Sequence, residues 1–324
     1  MSDKTATFLV IVFGLICLVL WSVVDPDTMA AVGIMDQSLA SDIPLVRATA
    51  LLEIRFAKGA FLVLGVLSLT LGVLWPRICK TAAYQRFLNW DLAPPAVYDR
   101  QLTEIRSFST AVMATLFFTL VLYLAVGEAL FSTQVLDWIN REDGLVESIQ
   151  AILLILASIL SARVAFGVRG MPPRAVMHGL IAVLFFLMFG EEISWGQRIL
   201  GIETPEALMG LNVQNEINLH NMFGYFFDHL FILLFFLWGC VVPLLNHVSG
   251  FFRQVFRMIG LPVASVGLAV GMLVTTLFQG QIVFRFTDGI PGLRLPELRE
   301  LLSAMAFFLL MLESYRYLLV KPAR

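Results

Sequence analysis

The sequence SFSTAVMATLFFTLVLYLAVGEALF, residues 107–131, contains a single charged residue, Glu128, close to its end. A helix needs about 20 mainly apolar residues to cross the hydrocarbon core of a bilayer, so this run is long enough for one crossing. In lipid the backbone must satisfy its own hydrogen bonds, which favours a helix over an irregular segment. The stretch therefore predicts a transmembrane α-helix.

The composition extends this prediction to the whole chain. Of 324 residues, 59% are hydrophobic and 14% charged, and the mean hydropathy is +0.84, which excludes an ordinary soluble domain. About eight runs have the length of a span: 7–24, 56–75, 107–131, 145–166, 175–193, 222–245, 261–278 and 298–320. Gly267 and Gly271, four apart in the seventh run, predict a close helix contact. We expect an all-α, polytopic helical bundle forming a single transmembrane domain over residues 1–324.

The distribution of Lys and Arg predicts how the bundle is oriented. With eight spans, 14 of these residues lie on the side of both termini and 8 on the other side. Positive residues in short loops stay cytoplasmic, so both termini are predicted inside. The outer loops then lie near 25–55, 132–144, 194–221 and 279–297, and an inner interfacial loop lies near 76–106. Short loops and no long tails are typical of a bacterial inner (plasma) membrane protein.

The acidic residues are divided more unevenly than the basic ones. On the predicted outer side lie 19 of the 24 Asp and Glu residues. Acidic residues contribute little to orientation, so this imbalance is a separate observation. A negatively charged outer face attracts cations or cationic head groups and repels anions.

The stretch FGEEISWGQRILG, residues 189–201, places two carboxylates at the end of the fifth apolar run. Lipid excludes ionised carboxylates, so Glu191 and Glu192 either reach water or have a function. On a helix through 190–200, Glu191, Trp195 and Arg198 would share one face, with Glu192 turned about 100° away. This geometry predicts that one of the two glutamates faces the bundle.

A second polar group surrounds the start of the sixth run. His220 and His229, nine residues apart, would lie on opposite faces of one continuous helix. If the helix starts after His220, with Asn221 as its N-cap, both can reach one site. If it starts at Glu216, then Glu216 and His220 form an i, i+4 pair suited to binding one metal ion. Both alternatives remain open.

These observations define the candidate site on the predicted outer face. We predict Glu191, Glu192, Arg198 and His229 as catalytic residues, Trp195, Gln197, Asn218 and Glu147 as substrate contacts, and Glu216 and His220 as metal ligands. A divalent metal ion is the candidate cofactor, because carboxylate and imidazole together suit Zn, Mn or Fe. Membrane lipid is the expected partner, and nucleic acid is not.

Three classes of function fit this pattern. The first is a hydrolase or transferase acting on a lipid-linked substrate, either metal-dependent or using a carboxylate and a His as acid and base. The second is a proton- or cation-coupled transporter, since ionisable groups inside membranes commonly mark ion routes. The third is a non-catalytic membrane subunit or sensor, in which the same residues only hold loops together.

Overall fold

The computed structural model describes residues 3–31, 35–42, 44–90, 100–141, 144–205, 226–278, 283 and 295–319. All regular structure in these residues is helical, so the predicted all-α class is confirmed. The helices are α1 (Asp3–Val23), α2 (Pro26–Ala31), α3 (Asp36–Leu39), α4 (Pro44–Ile78), α5 (Ala82–Leu88), α6 (Arg100–Leu130), α7 (Thr133–Asn140), α8 (Leu145–Gly167), α9 (Pro172–Glu192), α10 (Gln197–Leu200), α11 (Phe226–Phe236), α12 (Val242–Val248), α13 (Gly250–Ile259), α14 (Val266–Leu277) and α15 (Leu295–Leu319).

Among the described residues, five segments are long and apolar enough to cross a membrane: Pro44–Ile78, Leu102–Leu130, Thr133–Gly167, which contains α7 and α8, Pro172–Glu192 and Phe226–Val248. Thr7–Val23 and Val266–Leu277 are shorter apolar helices. Large apolar side chains on these segments point outward, including Phe118 at 69% exposure and Leu180 at 63%. Water would penalise such surfaces and lipid would not, so the chain is a helical membrane protein. The number of eight spans and the orientation stay predictions.

Several predicted loops contain helix. The predicted outer loop 25–55 includes α2, α3 and the start of α4, and the outer loop 132–144 includes α7. The inner loop 76–106 includes α5 and the first residues of α6. Charged and polar residues interrupt the apolar pattern beyond the hydrocarbon, but they do not stop the backbone from continuing as helix. Hydropathy therefore underestimates helix length at the membrane surfaces.

Contacts within the chain divide it into two compact units. Unit 1 comprises Met1–Trp90, Glu203–Phe231 and Val248–Phe251, and unit 2 comprises Asp91–Ile202, Ile232–His247 and Phe252–Arg324.

In unit 1, α1 packs along α4 through glycines. Gly65 and Gly72 are seven residues apart, two turns along the same face of α4. A Cβ at Gly65 would lie 2.7 Å from Leu18 Cδ2, and one at Gly72 would lie 2.5 Å from Ile11 Cγ1. These glycines let the two helices approach closely, as small residues do in membrane bundles.

In unit 2, α8 packs against both α9 and α15. Buried serines of α8 bond to the backbone of α9, with Ser158 Oγ 2.8 Å from the Ala182 carbonyl oxygen and Ser161 Oγ 2.9 Å from that of His178. Each hydroxyl satisfies its hydrogen bond inside the bundle, where water is excluded. These bonds fix the rotation of α8 relative to α9, and hence which residues meet at the helix ends.

The predicted close contact at Gly267 and Gly271 is confirmed within unit 2. Gly267 of α14 lies against Thr110 of α6, where an added Cβ would overlap the Thr110 side chain. At Gly271, a Cβ would lie 3.2 Å from Met113 Cε. Because both glycines face the same helix, α14 and α6 approach more closely than larger side chains would allow.

Candidate functional site

The ends of three helices in unit 2 bring five carboxylates together. We call Glu147, Glu191, Glu192, Glu297 and Glu300 the carboxylate cluster. Glu147 lies in the first turn of α8, and Glu297 lies in the first turn of α15 with Glu300 three residues further on. Carboxylates at these N-termini are favoured by the helix dipole. Glu191 and Glu192 end α9, where the dipole disfavours a carboxylate, so their position needs another explanation.

Glu192 experiences electrostatic repulsion from all four other members of the cluster, most strongly from Glu300 and then from Glu297, Glu147 and Glu191. Its side chain is partly buried, so water screens this repulsion less than at an open surface. A proton or a cation held among the carboxylates lowers the electrostatic free energy. The sequence prediction that one glutamate of the pair faces the bundle fits Glu192.

A left-handed turn follows Glu192. Ser194, Trp195 and Gly196 have φ angles of 44°, 53° and 77°. This conformation costs about 1–2 kcal/mol at each of Ser194 and Trp195, whereas Gly196 adopts it freely. The helix through 190–200 that would put Glu191, Trp195 and Arg198 on one face is therefore not formed, because α9 ends at Glu192 and α10 begins only at Gln197.

The Trp195 side chain folds back over the end of α9. Its indole Nε1–H donates to Glu191 Oε1 at 2.8 Å, and its ring covers Gly190, where a Cβ would lie 2.7 Å from the ring. This bond is charge-assisted when Glu191 is ionised. Trp195 therefore orients a carboxylate of the cluster, so we interpret it as a positioning residue in addition to the predicted substrate contact.

Gln150 lies one turn after Glu147 on α8, and its side chain contacts the carboxylate cluster. Its side chain is completely buried, and its Nε2 donates to Glu300 Oε2 at 3.3 Å. Its Oε1 is buried without a hydrogen-bond partner among the described residues. Leaving such an oxygen unpaired costs about 1–3 kcal/mol, and buried polar atoms are usually paired.

His229 is paired within unit 1. Its Nδ1 lies 2.7 Å from Glu53 Oε2 of α4, and the side chains are 39% and 14% exposed. Met35, Ser38 and Thr49 are among the residues around this pair. The sequence analysis did not identify Glu53 as a partner of His229. The catalytic role of His229 stays a prediction.

The remaining predicted residues divide into two groups. Gln197 begins α10, and Arg198 follows it, although the Arg198 side chain lies outside the described part of the structure. Glu216, Asn218 and His220 also lie outside the described residues. Within the described residues, no group of three or more His, Cys, Asp or Glu is arranged to hold a metal ion.

Sequence reasoning missed Gln150, Glu297 and Glu300 as site residues. The count of acidic residues placed Glu297 and Glu300 on the same predicted face as Glu192, which was the available signal. It could not show that their helix packs against α8 and α9. Gln150 gave no signal, since an isolated Gln near the start of an apolar run is compatible with a solvated position.

Neither a protein-family model, nor a curated protein, nor a solved structure matches this chain. The function must therefore be argued from the site.

Proposed function

We propose that this membrane protein is an enzyme that uses the carboxylate cluster for acid–base hydrolysis or group transfer on a lipid-linked substrate at the extracytoplasmic face. The supporting observation is the convergence of five carboxylates from three helices around Glu192. Carboxylates in unlike surroundings can divide the acid and base roles between them. Here Glu191 accepts an indole N–H, whereas Glu192 faces four other carboxylates.

The chemistry would use two members of the cluster. An ionised neighbour such as Glu191, whose carboxylate accepts the Trp195 indole N–H, takes the proton from the attacking water or hydroxyl as the oxygen of that nucleophile forms the new bond. Glu192, which faces four other carboxylates, carries a proton and donates it to the leaving oxygen as the old bond breaks. This carboxylate pair takes the place of the glutamate and histidine considered from the sequence, and Arg198 remains the proposed group that stabilises developing negative charge.

An aromatic layer in unit 2 favours an enzyme over a transporter. Phe185 lies seven residues, about two turns, from both Glu192 and His178 on α9. Its ring is 4.9 Å from that of Phe307 and 6.1 Å from that of Trp238, measured between centroids. These three aromatic side chains lie at a level between Glu192 and His178. A proton path through this unit would need a succession of polar groups at that level.

Lipid turnover by the purified protein tests the proposal. The full-length protein is reconstituted into liposomes made from a total lipid extract, and lipids are followed by mass spectrometry. We expect Glu192→Gln to lower turnover by at least about 100-fold, since general acid–base catalysis contributes that much. Glu128→Gln, at an exposed carboxylate near the end of α6, is the matched control and should retain turnover. No lipid conversion by wild type would contradict an enzyme and favour the subunit or sensor.

The same variant distinguishes catalysis from architecture. Glu192→Gln replaces the carboxyl that carries the proton with a neutral amide of similar size, so we expect it to change the free energy of unfolding by less than about 1 kcal/mol while it removes activity. Unfolding is measured in mild detergent. A loss of stability would instead make Glu192 a structural residue.

Chelation tests the metal-dependent alternative, in which Glu216 and His220 bind a divalent ion. Our proposal predicts that turnover survives chelator treatment. Loss of turnover that one added divalent ion restores would support the metal-dependent enzyme instead.

A further inference from the structure

The unpaired oxygen of Gln150 indicates what the cluster binds. Gln150 is completely buried, and its Nε2 bond to Glu300 holds the amide at the cluster while leaving Oε1 without a partner in the described residues. The opposite amide orientation would turn Oε1 toward a carboxylate oxygen, placing two acceptors together. The free acceptor is therefore a consequence of the site and requires a donor.

Most of the groups around Gln150 Oε1 are also hydrogen-bond acceptors. Glu192 and the four other carboxylates of the cluster bring negative charge, and Gln150 Oε1 adds a neutral oxygen. Trp195 and the Gln150 amide group supply N–H donors to Glu191 and Glu300. Arg299 is buried and precedes Glu300 in sequence, so it lies about 100° from Glu300 around α15. A ligand that suits this set is cationic and rich in hydrogen-bond donors.

The spacing of the carboxylates favours an organic cation over a metal ion. Metal ions need several oxygen ligands at about 2.0–2.6 Å from one point. Within the described residues no three acidic, His or Cys side chains are arranged in that way. A primary ammonium group instead has three N–H donors that reach oxygens at about 2.7–2.9 Å, so it bridges acceptors that are further apart and can use a neutral amide oxygen.

We propose that the carboxylate cluster binds a protonated primary amine, with Gln150 Oε1 accepting one of its hydrogen bonds and Glu192 and Glu300 accepting the others. This inference rests on the proposed function, since it assigns the substrate class of the same site. The amine belongs either to a lipid head group, such as that of phosphatidylethanolamine, or to a soluble molecule. The chemistry is shared, and the experiment separates the two sources.

The test compares amines that differ only in their N–H donors. Full-length protein in phosphatidylcholine nanodiscs is titrated with ethanolamine and with choline, which has the same charge but three methyl groups on nitrogen. Nanodiscs containing phosphatidylethanolamine are compared with those of phosphatidylcholine by thermal unfolding. We expect a response to ethanolamine or to phosphatidylethanolamine, and none to choline. A response to the lipid alone assigns the head group as the source, and a response to both shows that the soluble amine suffices.

Gln150→Leu tests the role of the amide oxygen. We expect amine affinity to fall about tenfold or more, equivalent to about 1.4 kcal/mol, because a buried acceptor is lost. Unfolding of the ligand-free protein should shift to higher temperature, because a carbon side chain replaces an unpaired oxygen. Glu128→Gln is the control and should leave both quantities unchanged. If Gln150→Leu does not fold, the comparison of ethanolamine with choline on wild type still decides.

Three results would overturn the proposal: equal binding of choline and ethanolamine, unchanged amine affinity in Gln150→Leu, or stoichiometric binding of Mg²⁺, Ca²⁺ or Zn²⁺ that the Gln150→Leu variant loses. Failure here is distinguishable from failure of the proposed enzyme. Lipid turnover that depends on Glu192 without amine binding would refute only the ligand class. Amine binding without turnover would refute only the catalytic function.

Discussion

Individual side chains at helix ends and turns fix the orientation of charged groups. Trp195 has a left-handed backbone and returns over Gly190 to bond Glu191. Strained backbone persists only where the surrounding contacts determine it, and such strain concentrates at functional sites. The turn thus fixes one carboxylate of the cluster at the cost of backbone strain.

The carboxylate of Asp25 shows the same kind of control at the start of α2. The Thr28 backbone N–H, 3.0 Å from Asp25 Oδ1, and the Thr28 hydroxyl, 2.8 Å from Oδ2, hold the pKa of Asp25 below its ordinary value. A depressed pKa in the folded state means that the capping contribution is present above the unfolded value of about 3.9. It is lost as the pH falls through the folded pKa.

We therefore expect amide hydrogen exchange at Thr28 to keep its protection down to about pH 4 and to lose it as the pH falls further, after correction for intrinsic rates. Asp25→Asn keeps an oxygen acceptor that does not titrate, so its protection should not change over this interval. Equal pH dependence in the variant and in wild type would show that Asp25 is not the group responsible.

At the scale of the element, pairs of helices are held by close contacts and by polar bonds across them. The contact of α14 with α6 depends on Gly267, which has no space for a side chain, whereas Gly179 on α9 has no atom within 4 Å of its Cβ position. The same substitution at the two positions should have opposite effects.

Gly267→Ala should lower the free energy of unfolding by about 1–3 kcal/mol, because Thr110 must move. Gly179→Ala should leave it unchanged or raise it by up to about 1 kcal/mol through helix propensity. Equilibrium unfolding in detergent measures both values. Similar effects of the two substitutions would mean that the glycine contact does not limit helix approach.

Equilibrium unfolding also measures how much the contact between Glu53 of α4 and His229 of α11 contributes to stability. His229→Phe leaves Glu53 without its imidazole partner, so we expect a loss of about 1–3 kcal/mol. Glu53→Leu in the same chain should restore part of it, giving a coupling energy of about 0.5–3 kcal/mol in a double-mutant cycle. Additive effects would show that the contact does not stabilise the fold. Loss of lipid turnover in the restored double variant would support the predicted catalytic role of His229.

At the scale of the whole molecule, orientation decides on which side of the membrane the cluster acts. With eight spans, the 14 to 8 distribution of Lys and Arg predicts both termini in the cytoplasm and the Glu192 end outside. The extracytoplasmic location of the proposed site depends on this prediction.

Tags fused to either terminus should resist protease added to intact cells and be cleaved once the cells are permeabilised. A cytoplasmic protein serves as the control for cell integrity. Cleavage of both tags in intact cells would reverse the orientation and place the carboxylate cluster on the cytoplasmic side.

How much of the site the sequence predicts differs among its residues. Glu147, Glu191, Glu192 and Trp195 were identified because charged or amphipathic residues at the end of an apolar run are conspicuous. Glu191 and Trp195 do meet, but through a left-handed turn and not along a common helix face. The propensities of Ser and Trp give no indication of positive φ, because the contacts that stabilise this conformation come from side-chain packing.

The membrane class, the helical fold and the positions of the main apolar helices follow from the amino-acid sequence, as for α8, predicted at 145–166 and observed at Leu145–Gly167. These follow from transfer into lipid, a property that adds up along a local stretch of chain. Tertiary packing brings Glu297, Glu300 and Gln150 to the cluster around Glu192, and His229 to Glu53. Such contacts depend on how each helix is rotated about its axis relative to its neighbours. That rotation is set by packing between residues far apart in sequence, which local hydropathy does not encode.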